Sequence, residues 1–139
     1  MEPVRSALQV ALAAEHAAIY GYGVLGAHMT GSLERAAQQD WAVHQVARDT
    51  LESKLISLGA QPVPAQDAYQ LPFPVGASPA AVSLAAFLED RVATAYLGLV
   101  ALDDSGLRAW GAQQVRASAV RATGWSGRTA AFPGLPVAG

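Results

Sequence analysis

The chain contains no cysteine. Disulfides, thiolate metal sites and cysteine nucleophiles are therefore excluded. Lysine is nearly absent, Lys54 being the only one, and charged residues of both signs make up only 14% of the 139 positions. A net charge of -2 offers no electrostatic footprint for nucleic acid or for an anionic membrane surface. Long apolar runs are missing too. The least charged stretch, Ala17 to Leu33, is rich in Ala and Gly, contains His28, and falls short of the roughly 20 apolar residues that span a bilayer. The opening Met1-Glu2-Pro3-Val4-Arg5 lacks the basic region, apolar stretch and cleavage site of a targeting segment, so the expected location is cytoplasmic. No phosphate loop, nucleophile elbow or zinc motif occurs.

What is present is largely apolar. Hydrophobic residues make up 52% of the chain, which excludes intrinsic disorder, and the length suits one domain with a sizeable core. The spacing predicts four helices. The first runs over 3–29, with Pro3 in the first turn and Leu8, Leu12, Ile19, Tyr22 and Met29 at helical steps. Gly21, Gly23 and Gly26 lower its propensity by up to about 1 kcal/mol each, which calls for close approach of a neighbouring helix or of a second copy of the chain. The second runs over 32–58, from an N-cap at Ser32 to a C-terminal Gly59. Its seam reads Ala37, Trp41, His44, Arg48, Leu51, Leu55, Leu58. The third runs over 79–102 behind Ser78-Pro79, with an inner face of Val82, Ala86, Glu89, Val92, Tyr96, Leu99 and Val100. The fourth runs over 106–128, with Leu107, Trp110, Gln114, Ser118, Arg121 and Trp125 on one seam. Residues 131–139 form an extended tail expected to pack its apolar side chains on the surface.

Between helices two and three, residues 60–77 contain Pro62, Pro64, Pro72 and Pro74, which forbid a regular helix. Extended, such a segment reaches roughly 50–60 Å, more than the roughly 40 Å length of these helices. It can therefore cross the whole bundle, pinned by Tyr69, Leu71, Phe73 and Val75. Short, long and short connections predict an all-α, antiparallel four-helix bundle with a Pro-rich crossover. A plain up-and-down bundle with a loose middle loop is the alternative.

Polar residues interrupt the apolar seams: Glu15 on helix one, His44 on helix two, Glu89 on helix three, Gln114 and Arg121 on helix four. From the helical rise, all five fall near mid-bundle. Buried carboxylates need compensation, and two readings follow. Glu15, His44 and Glu89 could ligate iron, manganese or zinc. Alternatively, Arg121 and His44 satisfy the carboxylates in a buried polar network that also includes Gln114. Asp40, one turn before His44, reads as a solvated flank residue that could share a ligand with it. His16 and His28 lie off the seam and read as surface or partner-facing residues. Tyr20, Tyr22 and Tyr96 read as core.

At this point the sequence resembles a known family. The stretch Ala14-Glu15-His16-Ala17-Ala18-Ile19-Tyr20-Gly21-Tyr22-Gly23 is similar to the first helix of a bacterial, actinobacterial-type ferritin-like domain family of unknown function, within the ferritin-like and rubrerythrin-like superfamily. So are His44, Arg48 and Asp49 in helix two, Tyr69-Gln70-Leu71-Pro72-Phe73-Pro74-Val75, Leu88-Glu89-Asp90-Arg91, and Ala131-Phe132-Pro133-Gly134-Leu135-Pro136. The resemblance implies a four-helix bundle and, in the superfamily, a di-iron or di-manganese carboxylate centre. That centre takes one Glu from each of two helices and Glu-x-x-His from the other two. Glu15 matches the first Glu, His44 the helix-two His, and Glu89 the helix-three Glu. Trp41 stands where a helix-two carboxylate belongs, and helix four has no Glu-x-x-His. The expectation is a degenerate site in a non-catalytic binding, structural or interaction module without a cofactor. The alternative is an iron- or manganese-binding oxidoreductase using Glu15, His44 and Glu89. A homodimer through the glycine face and a small-molecule ligand near the tyrosines and Trp110 are further possibilities.

Overall fold

The computed structural model describes residues 2–129. They form four α-helices, α1 (Glu2–Gly26), α2 (Gly31–Ser57), α3 (Ser78–Val100) and α4 (Ser105–Thr129), with no strand among the described residues. The expected packing of the tail at 131–139 lies outside them. No helix among the described residues is long and apolar enough to cross a membrane.

The helix ends follow local chemistry, with small shifts from expectation. Thr30, in extended conformation and without a side-chain cap bond, takes the N-cap position of α2 that Ser32 was expected to fill. Gly31 just after it has φ +61°. At the other end Gly59, at φ +72°, lets the chain reverse after α2 at no steric cost. Ala77 rather than Ser78 precedes α3. Ser78 instead donates its hydroxyl to the His28 carbonyl at 2.8 Å, joining the start of α3 to the chain just past α1. Asp104 accepts the Leu107 N–H at 2.9 Å, an N-terminal cap for α4.

α1 packs on α2 and α3, and α3 packs on α4. Ala7 lies beside Gly98, and Gly21 lies against Leu88. A Cβ on Gly21 would come within 2.5 Å of Leu88 Cδ1, so here the glycine does permit close approach. Gly23 and Gly26 have open space where a Cβ would stand; the close packing inferred for them is not found. α2 and α4 make no comparable approach. A cavity of about 370 Å³ lies between them, lined by Ala42, Val43, Val46, Ala47, Thr50, Trp110 and Gln114. Trp41, expected on the α2 seam, is 39% exposed and borders a groove shared with Tyr22, Gly23 and Gly26 of α1. The buried stripe of α2 is narrow, running through Ala37, His44, Ala47, Leu51 and Leu55, and it leaves Trp41 and Arg48 on its flanks.

Two apolar clusters fill the interior. One gathers Leu8, Leu12, Leu51, Leu55, Tyr96 and Leu99. The other gathers Tyr22, Leu25, Met29, Val82, Leu84 and Trp125. The segment between α2 and α3 is fastened along α1. Arg5 donates to the Leu58 carbonyl at 2.7 Å. Gln9 donates to the Gln61 carbonyl at 2.8 Å and accepts the Val63 N–H at 2.9 Å. His16 Nε2 meets the Val63 carbonyl at 2.9 Å. Further on, Tyr69 sits against Tyr20, ring centroids 5.7 Å apart, and Leu71, Phe73 and Val75 pack on the second cluster. The contact with Val63 corrects the reading of His16 as a surface residue: covering chain buries it to 6% exposure.

Candidate functional site

Between the two apolar clusters, three helices each deliver one ionisable side chain to a common point. Glu15 from α1 and Glu89 from α3 are 0% exposed, and His44 from α2 is 1% exposed. Helical geometry explains the delivery. Glu15 stands one turn from Leu12 and seven residues before Tyr22, on the buried stripe of α1. His44 sits one turn from Ala47 and seven residues from Leu51 on that of α2.

The imidazole bridges the two carboxylates. His44 Nδ1 is 3.0 Å from each oxygen of Glu15, and Nε2 is 2.7 Å from Glu89 Oε2. α4 supplies the second cation: Arg121 Nε donates to Glu89 Oε1 at 3.0 Å, and its Nη2 donates to the Ser118 hydroxyl at 3.1 Å. The Tyr22 hydroxyl donates to Glu89 Oε2, with its ring stacked on His44 at 5.4 Å between centroids. Beyond Tyr22, Asp40 accepts the Trp125 indole N–H at 2.8 Å. Two carboxylates thus face one imidazole and one guanidinium.

The electrostatics follow from burial and partners. Burial opposes charge on His44, but the hydrogen bonds and negative charges of Glu15 and Glu89 outweigh it, and the imidazole pKa is pushed up to about 9. Burial likewise favours neutral Glu89, yet the bond and charge of His44, with Arg121 and Tyr22, hold its carboxyl below the usual range. Glu15, farther from Arg121's bonds, stays above that range because burial dominates what His44 gives back. Burial also raises Asp40, despite the indole donor, and both burial and the Glu89 charge raise Tyr22.

Of the expected residues, Glu15, His44, Glu89 and Arg121 meet. Gln114 does not. It stands in the wall of the cavity between α2 and α4, because Ser118, one turn further along α4, is the residue turned inward to Arg121. Asp40, read as a solvated flank, is half-buried against Trp125 and Tyr22. Tyr22, Asp40, Ser118 and Trp125 were not assigned to the network. The spacing held a signal for two of them: Tyr22 lies seven residues after Glu15, and Asp40 lies four before His44.

These residues do not fit a metal centre. Coordination by a histidine needs an unshared ring lone pair, and both ring nitrogens of His44 are directed at carboxylates. A metal ion at His44 would have to displace a ring proton and one of these carboxylate contacts. Arg121 holds Glu89 from the α4 side, where a carboxylate and a histidine would be required. Among the described residues no group of three or more His, Asp or Glu is arranged to hold a metal ion.

The four-helix fold is similar to that of ferritin-like proteins. A ferritin-like, diiron-carboxylate protein from Bacillus anthracis matches the fold with a TM-score of 0.78 at 15% identity, over 92% of this chain and 96% of that one. The chain belongs to the family described as a domain of unknown function (DUF4439), which matches residues 7–137. A conserved hypothetical protein from Mycobacterium tuberculosis is similar over 97% of this chain and 96% of its own, at 31% identity and a TM-score of 0.92. No curated protein matches the sequence.

Proposed function

We propose that this protein is a metal-independent, non-catalytic module: one antiparallel ferritin-like domain whose Pro-rich crossover carries the chain from the end of α2 to the start of α3. The contacts of Arg5, Gln9, His16 and Tyr20 with successive parts of residues 58–69 support that layout. In this reading the superfamily's metal site is degenerate, and side-chain cations hold the carboxylates that metal ions would otherwise hold. The observation that carries it is the His44 imidazole, whose Nδ1 faces Glu15 and whose Nε2 faces Glu89. A buried network of this kind fixes the register of four helices without a ligand, because any slip strands a charge in an apolar interior.

Metal analysis of protein purified without chelator tests the proposal. The expected result is iron and manganese well below one equivalent, with a thermal midpoint unmoved by EDTA. Stoichiometric iron or manganese, lost on Glu89→Ala, would overturn it in favour of a metal-binding oxidoreductase.

A further inference from the structure

A second cleft lies on the outer side of the α1–α3 seam, away from the charge network. Its volume is about 470 Å³, within the range of small-molecule sites. Ala14 and Ala17 form one wall, Phe87 and Leu88 the other, and Leu71 closes it from above, with Tyr69, Gln70 and Pro72 beside it. Small side chains on α1 leave the space open, and the segment joining α2 to α3 roofs it. That roof is itself held: the Tyr69 hydroxyl accepts the Gln66 N–H at 3.0 Å, and its ring rests on Tyr20.

One charge borders this cleft. Arg91 is exposed on α3, its guanidinium 5.2 Å from the centroid of the Phe87 ring, and among the described residues it has no ion pair of the kind that Arg48 and Arg121 form. Among the described residues, no Asp or Glu lines the cleft. An apolar trough with a cation at its lip and no opposing anion is complementary to a molecule with an apolar body and one negative head. We propose that this cleft binds small apolar carboxylic acids, the carboxylate on Arg91 and the hydrocarbon along Ala14 and Ala17.

Titration of the purified chain with sodium decanoate and, separately, with 1-decanol, followed by calorimetry, tests the assignment. Saturable binding of decanoate is expected, tighter than that of the alcohol. Arg91→Gln should weaken decanoate about tenfold, the lower range of one charge-assisted hydrogen bond, and leave decanol unchanged. Ala17→Leu should abolish both, and Ala14→Leu serves if that variant misfolds. Circular dichroism should show each variant folded. Three results would each overturn the proposal: no saturable decanoate binding, equal loss of decanoate and decanol on Arg91→Gln, or decanoate binding that survives filling of the cleft in a folded variant.

Discussion

The two halves of the interior are built differently, and their tyrosines show it best. Tyr22, in the cluster with Trp125 and Met29, is buried with its hydroxyl bonded to Glu89. Tyr96, in the cluster with Leu8, Leu51 and Leu99, is 0% exposed, and its hydroxyl has no partner among the described residues. Trp125 follows the pattern of Tyr22, placing its indole N–H on Asp40. In the first half, the buried rings of Tyr22 and Trp125 are apolar bodies with polar tips tied to the charge network. In the second, packing alone decides. The hydroxyl of Tyr96 is tolerated because its ring fits, set edge-on to Trp110 at 5.4 Å between centroids. Burial of polar atoms is therefore stabilising at one end of the molecule and merely endured at the other.

The largest effect should come from removing what both halves lean on. His44→Ala leaves Glu15 and Glu89 facing each other without the imidazole, and is expected to cost about 3–5 kcal/mol in denaturant unfolding. The pH dependence has a definite sign. The His44 pKa is about 9 in the folded chain against an ordinary 6.5 when unfolded. Its stabilisation is thus complete below pH about 6.5 and is lost as the pH rises through 9. Raised Glu15 acts with the same sign, its contribution being lost as the pH rises from the ordinary carboxylate range. The wild-type unfolding midpoint should fall across that window and flatten in His44→Ala. A midpoint that rises with pH there would break this account of the network.

The tyrosines give the next test. Tyr22→Phe removes a donor from a buried carboxylate and should cost about 1.5–3 kcal/mol. Tyr96→Phe removes only an unpaired hydroxyl and should be neutral or slightly stabilising. Equal losses in the two variants would erase the contrast between the halves.

Two glycines sharpen it further, with smaller effects. A Cβ on Gly111 would lie 2.7 Å from Leu99 Cβ, and one on Gly21 would lie 2.5 Å from Leu88 Cδ1. A Cβ is fixed to its backbone, so Gly111→Ala must push α3 and α4 apart, at a cost of about 1–3 kcal/mol. Leu88 can swing its tip aside, and Ala is the better helix former by about 1 kcal/mol. Gly21→Ala should therefore fall within about 1 kcal/mol of wild type. Thermal melts of the two variants measure the difference.

Most of this architecture could be read from residue spacing, for physical reasons that also mark where reading fails. Helical rise fixes height along an axis, so Glu15, His44, Glu89 and Arg121 could be placed at one level before their contacts were seen. Rotation about that axis is set by packing between helices, which spacing constrains weakly. Spacing therefore does not separate Gln114 from Ser118, one turn apart on the same α4 seam, and it puts Trp41 on an α2 seam whose buried stripe runs through Ala37, His44 and Ala47 instead. Asp40 was misjudged because a carboxylate's partner can be an indole eighty-five residues distant, and no local pattern announces that. His16 was misjudged because the covering segment comes from elsewhere in the chain.

The hold of Gln9 on the segment after α2 also decides how that segment meets a protease. Its amide occupies the Gln61 carbonyl and the Val63 N–H together, as the edge of a neighbouring strand would. A protease that aligns its substrate by pairing with those same backbone groups finds them already taken. Residues 64–68 are exposed and lie beyond the reach of that amide, so limited proteolysis is expected to cut there first. Gln9 on one side and the packed Leu71, Phe73 and Val75 on the other thus leave residues 64–68 as the longest exposed run of the twenty-residue connection.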